Sequence, residues 1–506
     1  MRFHDEASRD AYDAIIVGSG LGGLTAAALL ARAGRRVLVV ERHDRPGGYA
    51  HAFRRRRYRF DSAVHLIGGC EPVPFEEGGL LHRLLAGLGV RSLCDFVRVD
   101  PCYRVEWPGL TLDAPCGLER FIEAHVELFP REEKGIRGFV QDCLAVRGEA
   151  SRAEHSARGP LAAPSHFPLL LRYRRAVLSE VLEEHVADPA ARSALAALWP
   201  YLGLPPSRVS FLYFAAMLMS YVADGAYACR GTFQSLAESL VAALERCGGE
   251  LVLRSPVRRI CVDAGRVSGV ILENGQRVAA PLVVSNADVR QTVDELVGAE
   301  HFPARFRRRV DAATLSPSAF VVYAATSLDL ADAELAYETF LYPGPNHEAA
   351  CASGIRGGPS WLSLTAPTLL DPSLAPAGEH LLVLTSLVGA AAAPSWSAAK
   401  ARWQARLLER AERRLPGLAR SLHFVESATP RTMERYTRNQ AGAIYGFEVT
   451  PAQVGPGRID NQTPLPGLFL AGHWTRPGGG VIGVVRSGMR TAWLALGLEH
   501  EAQLGL

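Results

Sequence analysis

No stretch of this chain reaches the roughly 18 to 20 consecutive apolar residues that a membrane-crossing helix needs, so contact with a membrane is at most peripheral. The opening residues, MRFHDEASRD, are polar and charged and do not make a secretory leader, so the expected location is the cytoplasm, with membrane association only at a surface. Nine cysteines are scattered without a C-x-x-C pair or a zinc-like Cys/His spacing. That points to free thiols in a reducing compartment rather than a disulfide framework or a metal. Neither sign of charge is in excess, the net charge being +3, which argues against nucleic acid as a partner. Arginines do cluster at 54–57, 172–175 and 305–309, but without interleaved stacking aromatics, and they read as solvated faces. Residues 300–430 carry no nucleophile with a base at a diagnostic spacing and no metal box. At 506 residues the chain is too long for one compact core, and two or three substructures are expected.

What is present is organised around residues 13–41, DAIIVGSGLGGLTAAALLARAGRRVLVVE. The apolar run 14–17 reads as a buried parallel strand, and it passes directly into Gly18, Gly20 and Gly23, a G-x-G-x-x-G. Gly18 permits the tight turn, Gly20 lets a pyrophosphate approach the backbone, and Gly23 lets the next helix lie close to the strand. Leu21 and Gly22 complete the cradle, where the helix N-terminus faces an anion. Residues 24–33 are Ala/Leu-rich and read as helix, with Gly34 as a left-handed cap. Residues 37–40 form a second strand ending on Glu41, placed to accept hydrogen bonds from the 2′- and 3′-hydroxyls of a ribose. A Gly-rich turn in an ordinary βαβ unit would leave Glu41 without a role.

Arg42 follows, and five residues beyond it come Gly47 and Gly48, which suit a loop passing close under a cofactor. This E-x(5)-G-G after the fingerprint resembles the flavoprotein superfamily containing amine oxidases and phytoene desaturases, and it is more typical of FAD than of nicotinamide sites. Residues 58–69, YRFDSAVHLIGG, resemble the carotenoid isomerase and retinol saturase branch, except that Ala63 stands where glycine is common. His65 there faces either the flavin or the substrate, or is a structural histidine. Residues 464–496 resemble the superfamily's C-terminal flavin motif: a strand ending at Gly472, a loop with Gly478, Gly479 and Gly480, and a helix from 481 to 496. The resemblance implies that the amides of Val481 and Ile482 point at the flavin N1/C2=O edge, where the helix dipole favours the anionic reduced ring. His473 stands where the family usually has an acid; it puts the ribityl or phosphate contact in doubt and is a candidate source of local charge.

Between these ends, residues 97–115 read as two or three strands, 117–129 and 135–149 as helices, 151–168 as a loop, and 169–186 as an amphipathic helix. Residues 199–227 are the most apolar block outside the nucleotide fold. They line a greasy cavity or form ordinary helical core. Helix 234–247, strand 250–253 and three short strands with turns at Ala264-Gly265 and Asn274-Gly275 follow. In the family this layout returns the chain to the nucleotide sheet, implying that Val257 meets the adenine edge and that Asn286 and Ala287 end a strand near the pyrophosphate. Residues 320–326 and 380–387 look like strands and 397–414 like a helix. The segment from Thr429 to Gly446 resembles one that approaches the flavin from the substrate side, making Tyr436 and Tyr445 lining candidates.

The expected fold is α/β, a Rossmann-type FAD-binding domain with an inserted α+β substrate-binding domain and a helical apolar subregion. Segments 1–95, 231–298 and 436–506 are assigned to FAD, and 96–230 and 299–435 to the substrate. The resemblance implies hydride transfer between FAD and a lipophilic polyene, isoprenoid or related metabolite, with His65, Tyr445 and His473 as candidates at the reacting centre. The rival reading is an amine or amino-acid oxidase of the same superfamily, and a third is a non-catalytic flavin module. No second G-x-G-x-x-G offers a nicotinamide site, so the electron partner stays open.

Overall fold

The computed structural model describes residues 6–72, 79–155, 164–499 and 501–505. Strand Ala14–Val17 is apolar and buried at all four positions, as suits the middle of a parallel sheet covered on both faces. It pairs with Val37–Val40 on one side and Val283–Ser285 on the other, and Glu250–Val252 and Leu468–Leu470 extend the sheet, all strands parallel. Numbered along the chain, the strands lie in the order 3-2-1-4-5. The order reverses between Ala14–Val17 and Val283–Ser285, and a ligand crevice opens beyond the carboxyl ends of strands at such a point.

Helix Leu21–Arg32 starts three residues earlier than the composition predicts because Gly20, in extended conformation, already serves as its N-cap. Gly34 takes φ +82° just past its end, as expected of a left-handed stop. A Cβ on Gly23 would lie 2.5 Å from the Gly18 carbonyl oxygen, so only glycine lets the helix sit this close to its strand. Helix Val481–Leu496 packs along it, and a Cβ on Gly488 would run into the Gly22 carbonyl.

A second, seven-stranded sheet runs in the order Leu422–Ala428, Ser318–Thr326, His380–Val388, Leu362–Thr365, Glu338–Leu341, Tyr103–Trp107, Leu110–Ala114. Only the pairing of Glu338–Leu341 with Tyr103–Trp107 is parallel. Two strands from the first third of the chain therefore close one edge of a sheet built otherwise from residues beyond 317. Helix Trp396–Arg414 covers one face, burying Trp403, Leu407 and Ala411 against Phe320, Val322, Leu382 and Leu384. The two-residue period of a strand then turns Ala319, Val321, Val383 and Thr385 to the other face.

Several local expectations change. Helix Glu133–His155 runs into the stretch expected as a loop from 151, and residues 156–163 of that expectation lie outside the described residues. So do residues 1–5 of the polar opening. Residues 169–186 form two helices, Pro168–Tyr173 and Leu178–His185, rather than one. Val177 is extended between them and bridges Ser210, and the Leu178 amide donates to the Val209 carbonyl at 3.0 Å. A continuous helix would forfeit these bonds. Residues 257–285 hold four strands rather than three: Val257–Asp263, Arg266–Leu272 and Arg277–Ala279 form an antiparallel sheet, and Val283–Ser285 returns to the nucleotide sheet. All nine thiols are free. Among the described residues no helix is long and apolar enough to cross a membrane.

Candidate functional site

The crevice at the strand-order reversal continues into the space beneath the seven-stranded sheet, and one cavity is lined from both. At its nucleotide end Gly18 turns with φ +94° and donates its amide to the Val40 carbonyl at 2.8 Å. A Cβ on Gly20 would meet Asn286 Nδ2 at 2.5 Å, so the backbone there is bare of necessity. Leu21 and Gly22 line the cavity beside it. Gly23 does not; its part is the close helix packing already described.

Glu41 is buried on the cavity wall. It accepts from the Ser19 amide at 2.8 Å, the Ser19 hydroxyl at 2.7 Å and the His43 amide at 2.8 Å. A carboxylate accepts about four hydrogen bonds, so Glu41 is rigidly aimed and keeps room for a hydroxyl donor. Gly47 and Gly48 take φ +122° and +57°, and the Gly47 amide donates to the Ser19 carbonyl at 2.9 Å, tying the two glycine loops together. Arg42, at the rim, donates to the Arg435 and Tyr436 carbonyls at 3.0 and 2.9 Å. Val257 lines the far end of the nucleotide crevice. Asn286 Oδ1 is buried without a hydrogen-bond partner and stands 2.7 Å from where a Cβ on Gly472 would be.

The second glycine loop faces the first. Gly472, His473, Gly480 and Val481 line the cavity. The first bond of helix Val481–Leu496 runs from the Val484 amide to the Gly480 carbonyl, leaving the amides of Val481 and Ile482 without helical partners. The Ile482 side chain packs into the nucleotide-fold core instead of the cavity. Tyr213 donates to the Gly479 carbonyl at 2.8 Å and so braces this loop.

His473 is not a source of charge. Burial, and next the Arg458 guanidinium, hold its pKa down at about 3, so the ring is neutral, and Asn439 Nδ2 donates to its Nε2 at 3.3 Å. The local charge belongs to Arg458, whose polar, surface-like segment carries no sign of its burial. Arg458 is fully buried and donates to the carbonyls of Thr475, Glu448, Gln453, Tyr445, Phe447 and His473. Burial lowers its pKa to about 10, which still leaves it cationic at neutral pH.

At the other end of the cavity the wall is largely apolar, with Val321, Phe340, Trp361, Val383, Leu387 and Ile444. Tyr445 lines it as expected and donates to the Pro200 carbonyl at 3.2 Å. His65 lines it too, its Nε2 lying 3.4 Å from Glu338 Oε2. Burial works against the imidazolium, but the charge and hydrogen bond of Glu338, then the Ala63 carbonyl and Asp61, outweigh it and raise the pKa. Glu338 is fully buried, accepts from Thr365 Oγ1 at 2.6 Å and leaves Oε1 unpartnered. Asp61 accepts the Phe233 amide at 2.8 Å, and burial pushes its pKa up to about 8. A lone acid in the apolar stretch AYETFLYP was the only sequence signal for Glu338.

Of residues 199–227 only Pro200 and Tyr201 line the cavity, because helix Phe211–Val222 turns Phe211, Phe214 and Leu218 into core. Tyr436 lines the cavity as expected, but at its nucleotide rim rather than on the substrate side, 38% exposed with its ring 5.5 Å from that of His43. Among the described residues there is no group of three or more His, Cys, Asp or Glu able to hold a metal.

The bare glycine backbone, the buried acid beyond the second strand, the unpartnered Asn286 oxygen and the facing helix N-terminus together fit a dinucleotide, and the apolar chamber belongs to the same cavity. A family described as flavin-containing amine oxidoreductase matches residues 21–496. A chloroplastic prolycopene isomerase of Arabidopsis thaliana is 28% identical over 97% of this chain and 84% of its own. An all-trans-retinol 13,14-reductase of Rattus norvegicus is 26% identical, covering 91% and 82%. A lycopene-forming phytoene desaturase of a Paracoccus species is 27% identical, covering 98% and 99%. Among solved structures, an oxidoreductase from Methanosarcina mazei superposes with a TM-score of 0.64 at 19% identity, covering 94% of this chain and 98% of its own. Cyclohexylamine oxidase from Brevibacterium oxydans does so with 0.64 at 19%, covering 98% and 100%.

Proposed function

The chain belongs to the flavin-containing amine oxidoreductase family, and on that premise we propose that it exchanges hydride between FAD and a carbon of a long apolar substrate, a polyene, isoprenoid or related metabolite, so that a C=C bond is formed, removed or rearranged. It is an FAD-dependent oxidoreductase. When bound, FAD supplies a two-electron hydride acceptor or donor. In this reading Gly18, Gly20, Leu21 and Gly22 pass under the diphosphate together with Gly47 and Gly48, Glu41 takes a ribose hydroxyl, and Val257 meets the adenine. Gly480 and the amides of Val481 and Ile482 would hold the ring edge, where the positive end of the helix dipole favours negative charge.

The observation that carries the substrate class is the chamber wall, where Val321, Phe340, Trp361, Val383 and Leu387 surround the space next to the flavin motif. Such a wall excludes water and orients a hydrocarbon by shape. Among the described residues an ammonium group would find no free carboxylate on it: Glu338 is matched by His65, and Asp61 is held largely neutral at pH 7. The relatives named for prolycopene, phytoene and all-trans-retinol support the same class.

The test is anaerobic spectroscopy of the purified flavoprotein with a carotenoid, a retinoid and a panel of amines. Polyene bands moving to the red mean desaturation. A blue shift with the flavin pre-reduced means saturation, and altered fine structure at constant chain length means isomerisation. Bleaching of the flavin by amines with every polyene untouched would sink the reading in favour of an amine oxidase.

A further inference from the structure

The apolar chamber has one polar stretch of wall. Ser363 and Thr385 are register partners on adjacent antiparallel strands, Leu362–Thr365 and His380–Val388, and both line the cavity. Neither hydroxyl has a hydrogen-bond partner among the described residues. The patch is continuous with other polar groups. Phe340, opposite Ser363 in the next strand, packs its ring 5.5 Å from that of Tyr201, whose hydroxyl is buried and unpartnered. Tyr201 stands 6.1 Å from His65, and His65 leads through Glu338 to Thr365.

Hydroxyls without protein partners on an otherwise apolar wall are unfavourable unless a ligand satisfies them, and a wall meant only for hydrocarbon needs none. From this geometry we infer that the substrate carries an uncharged oxygen function, an alcohol or a carbonyl, that docks against Ser363 and Thr385 while its hydrocarbon body occupies the rest of the chamber. The inference rests on the lipophilic-substrate reading above and narrows it to oxygenated isoprenoids or polyenes. The absence of charge follows from the neighbours. His65 faces Glu338 from the loop beyond strand Tyr58–Asp61, and Asp61 ends that strand. Tyr337 and Tyr445 add phenols only, and Arg59, at the cavity edge, is exposed and already donates to Ser373. Among the described residues Ser363, Thr385 and Tyr201 are uncharged and His65 is matched by Glu338, so the patch itself offers no charge to pair with a carboxylate or an ammonium.

A site built to hydrogen-bond a hydroxyl discriminates strongly against the analogue lacking it, because its own groups are then left unpaired. The experiment is equilibrium binding of geranylgeraniol and of its deoxy hydrocarbon to the oxidised holoenzyme, read by perturbation of the flavin spectrum, with wild type and S363A, T385V and S363A/T385V. Wild type is expected to bind the alcohol at least tenfold more tightly than the hydrocarbon. The double variant is expected to close that gap by weakening the alcohol alone, with the flavin spectrum of the free holoenzyme unchanged as proof of fold. Equal binding of both probes by wild type overturns this inference and leaves the lipophilic reading standing, as does an alcohol preference that survives the double variant. Binding of neither probe overturns both.

Discussion

Glu338 and His65 show how much of this site depends on single side chains held by others. His65 alone, sitting in a buried wall, would favour the neutral ring; Glu338 at 3.4 Å reverses that. The sign then follows. A base whose folded pKa is raised contributes stability that is present below its ordinary value of about 6.5 and is lost as pH rises through the folded value. Glu338→Gln removes the charge while keeping an acceptor for Thr365, so the His65 titration should move downward. Nitrogen-15 NMR of the ring nitrogens across pH 5 to 9 reads this directly, and a His65 that titrates identically in both proteins would show that the pair is not coupled. A residue-by-residue reading found His65 from the motif around it, but not Glu338 or Arg458. Their partners come from strands and loops remote in sequence, and a polar residue acquires its meaning only from what burial places around it.

At the scale of elements, legibility followed locality. Helix Val481–Leu496 has the bounds read from the sequence, because a strand, three glycines and an apolar run specify it within about thirty residues. The strand, turn, helix and acid of residues 14–41 were legible for the same reason. The break between Pro168–Tyr173 and Leu178–His185 was not, since it depends on Val177 pairing with Ser210, and neither was the orientation of Phe211–Val222, whose aromatics are apolar on every side. The contact between Leu21–Arg32 and Val481–Leu496 illustrates what glycine does within an element. Gly488 lies in mid-helix, where it costs about 1 kcal/mol relative to alanine, yet any Cβ there would strike Gly22 and Thr25. Gly488→Val should therefore separate the two helices that hold opposite walls of the flavin crevice. The expected loss is about 2 to 3 kcal/mol of stability, read from the urea midpoint, together with a clear fall in bound FAD per chain. Unchanged FAD loading with an unchanged midpoint would contradict the packing argument.

For the molecule as a whole, folding keeps three imidazoles neutral in places that share no element. His125 in helix Leu118–Leu128 donates from Nδ1 to the Phe121 carbonyl, 2.8 Å away, His347 donates to the Ser193 carbonyl at 2.8 Å, and His473 in the second glycine loop accepts from Asn439. Burial lowers the first two to about 4; burial followed by the Arg458 charge lowers the third to about 3. Between about pH 6.5 and 4 the unfolded chain therefore binds these protons and the folded one does not, so stability falls as pH falls. Asp61 has the opposite sign: its folded pKa of about 8 makes the folded state hold a proton that the unfolded chain releases, stabilising as pH drops from 8 to 4. Other carboxyls also titrate in this range, so the clean measurement is a difference between two proteins. His347 packs among Trp199, Tyr342 and Ser193, away from the cavity lining, and His347→Gln can keep a donor for the Ser193 carbonyl. The variant should lose one proton from the linkage, flattening stability against pH by about 1.4 kcal/mol per unit between pH 6 and 4.5. Urea titrations at several pH values give that slope for both proteins. Parallel curves would mean that His347 is not held neutral by the fold, whereas curves that converge toward acid locate part of the acid sensitivity far from the chemistry, in the core that carries the chamber.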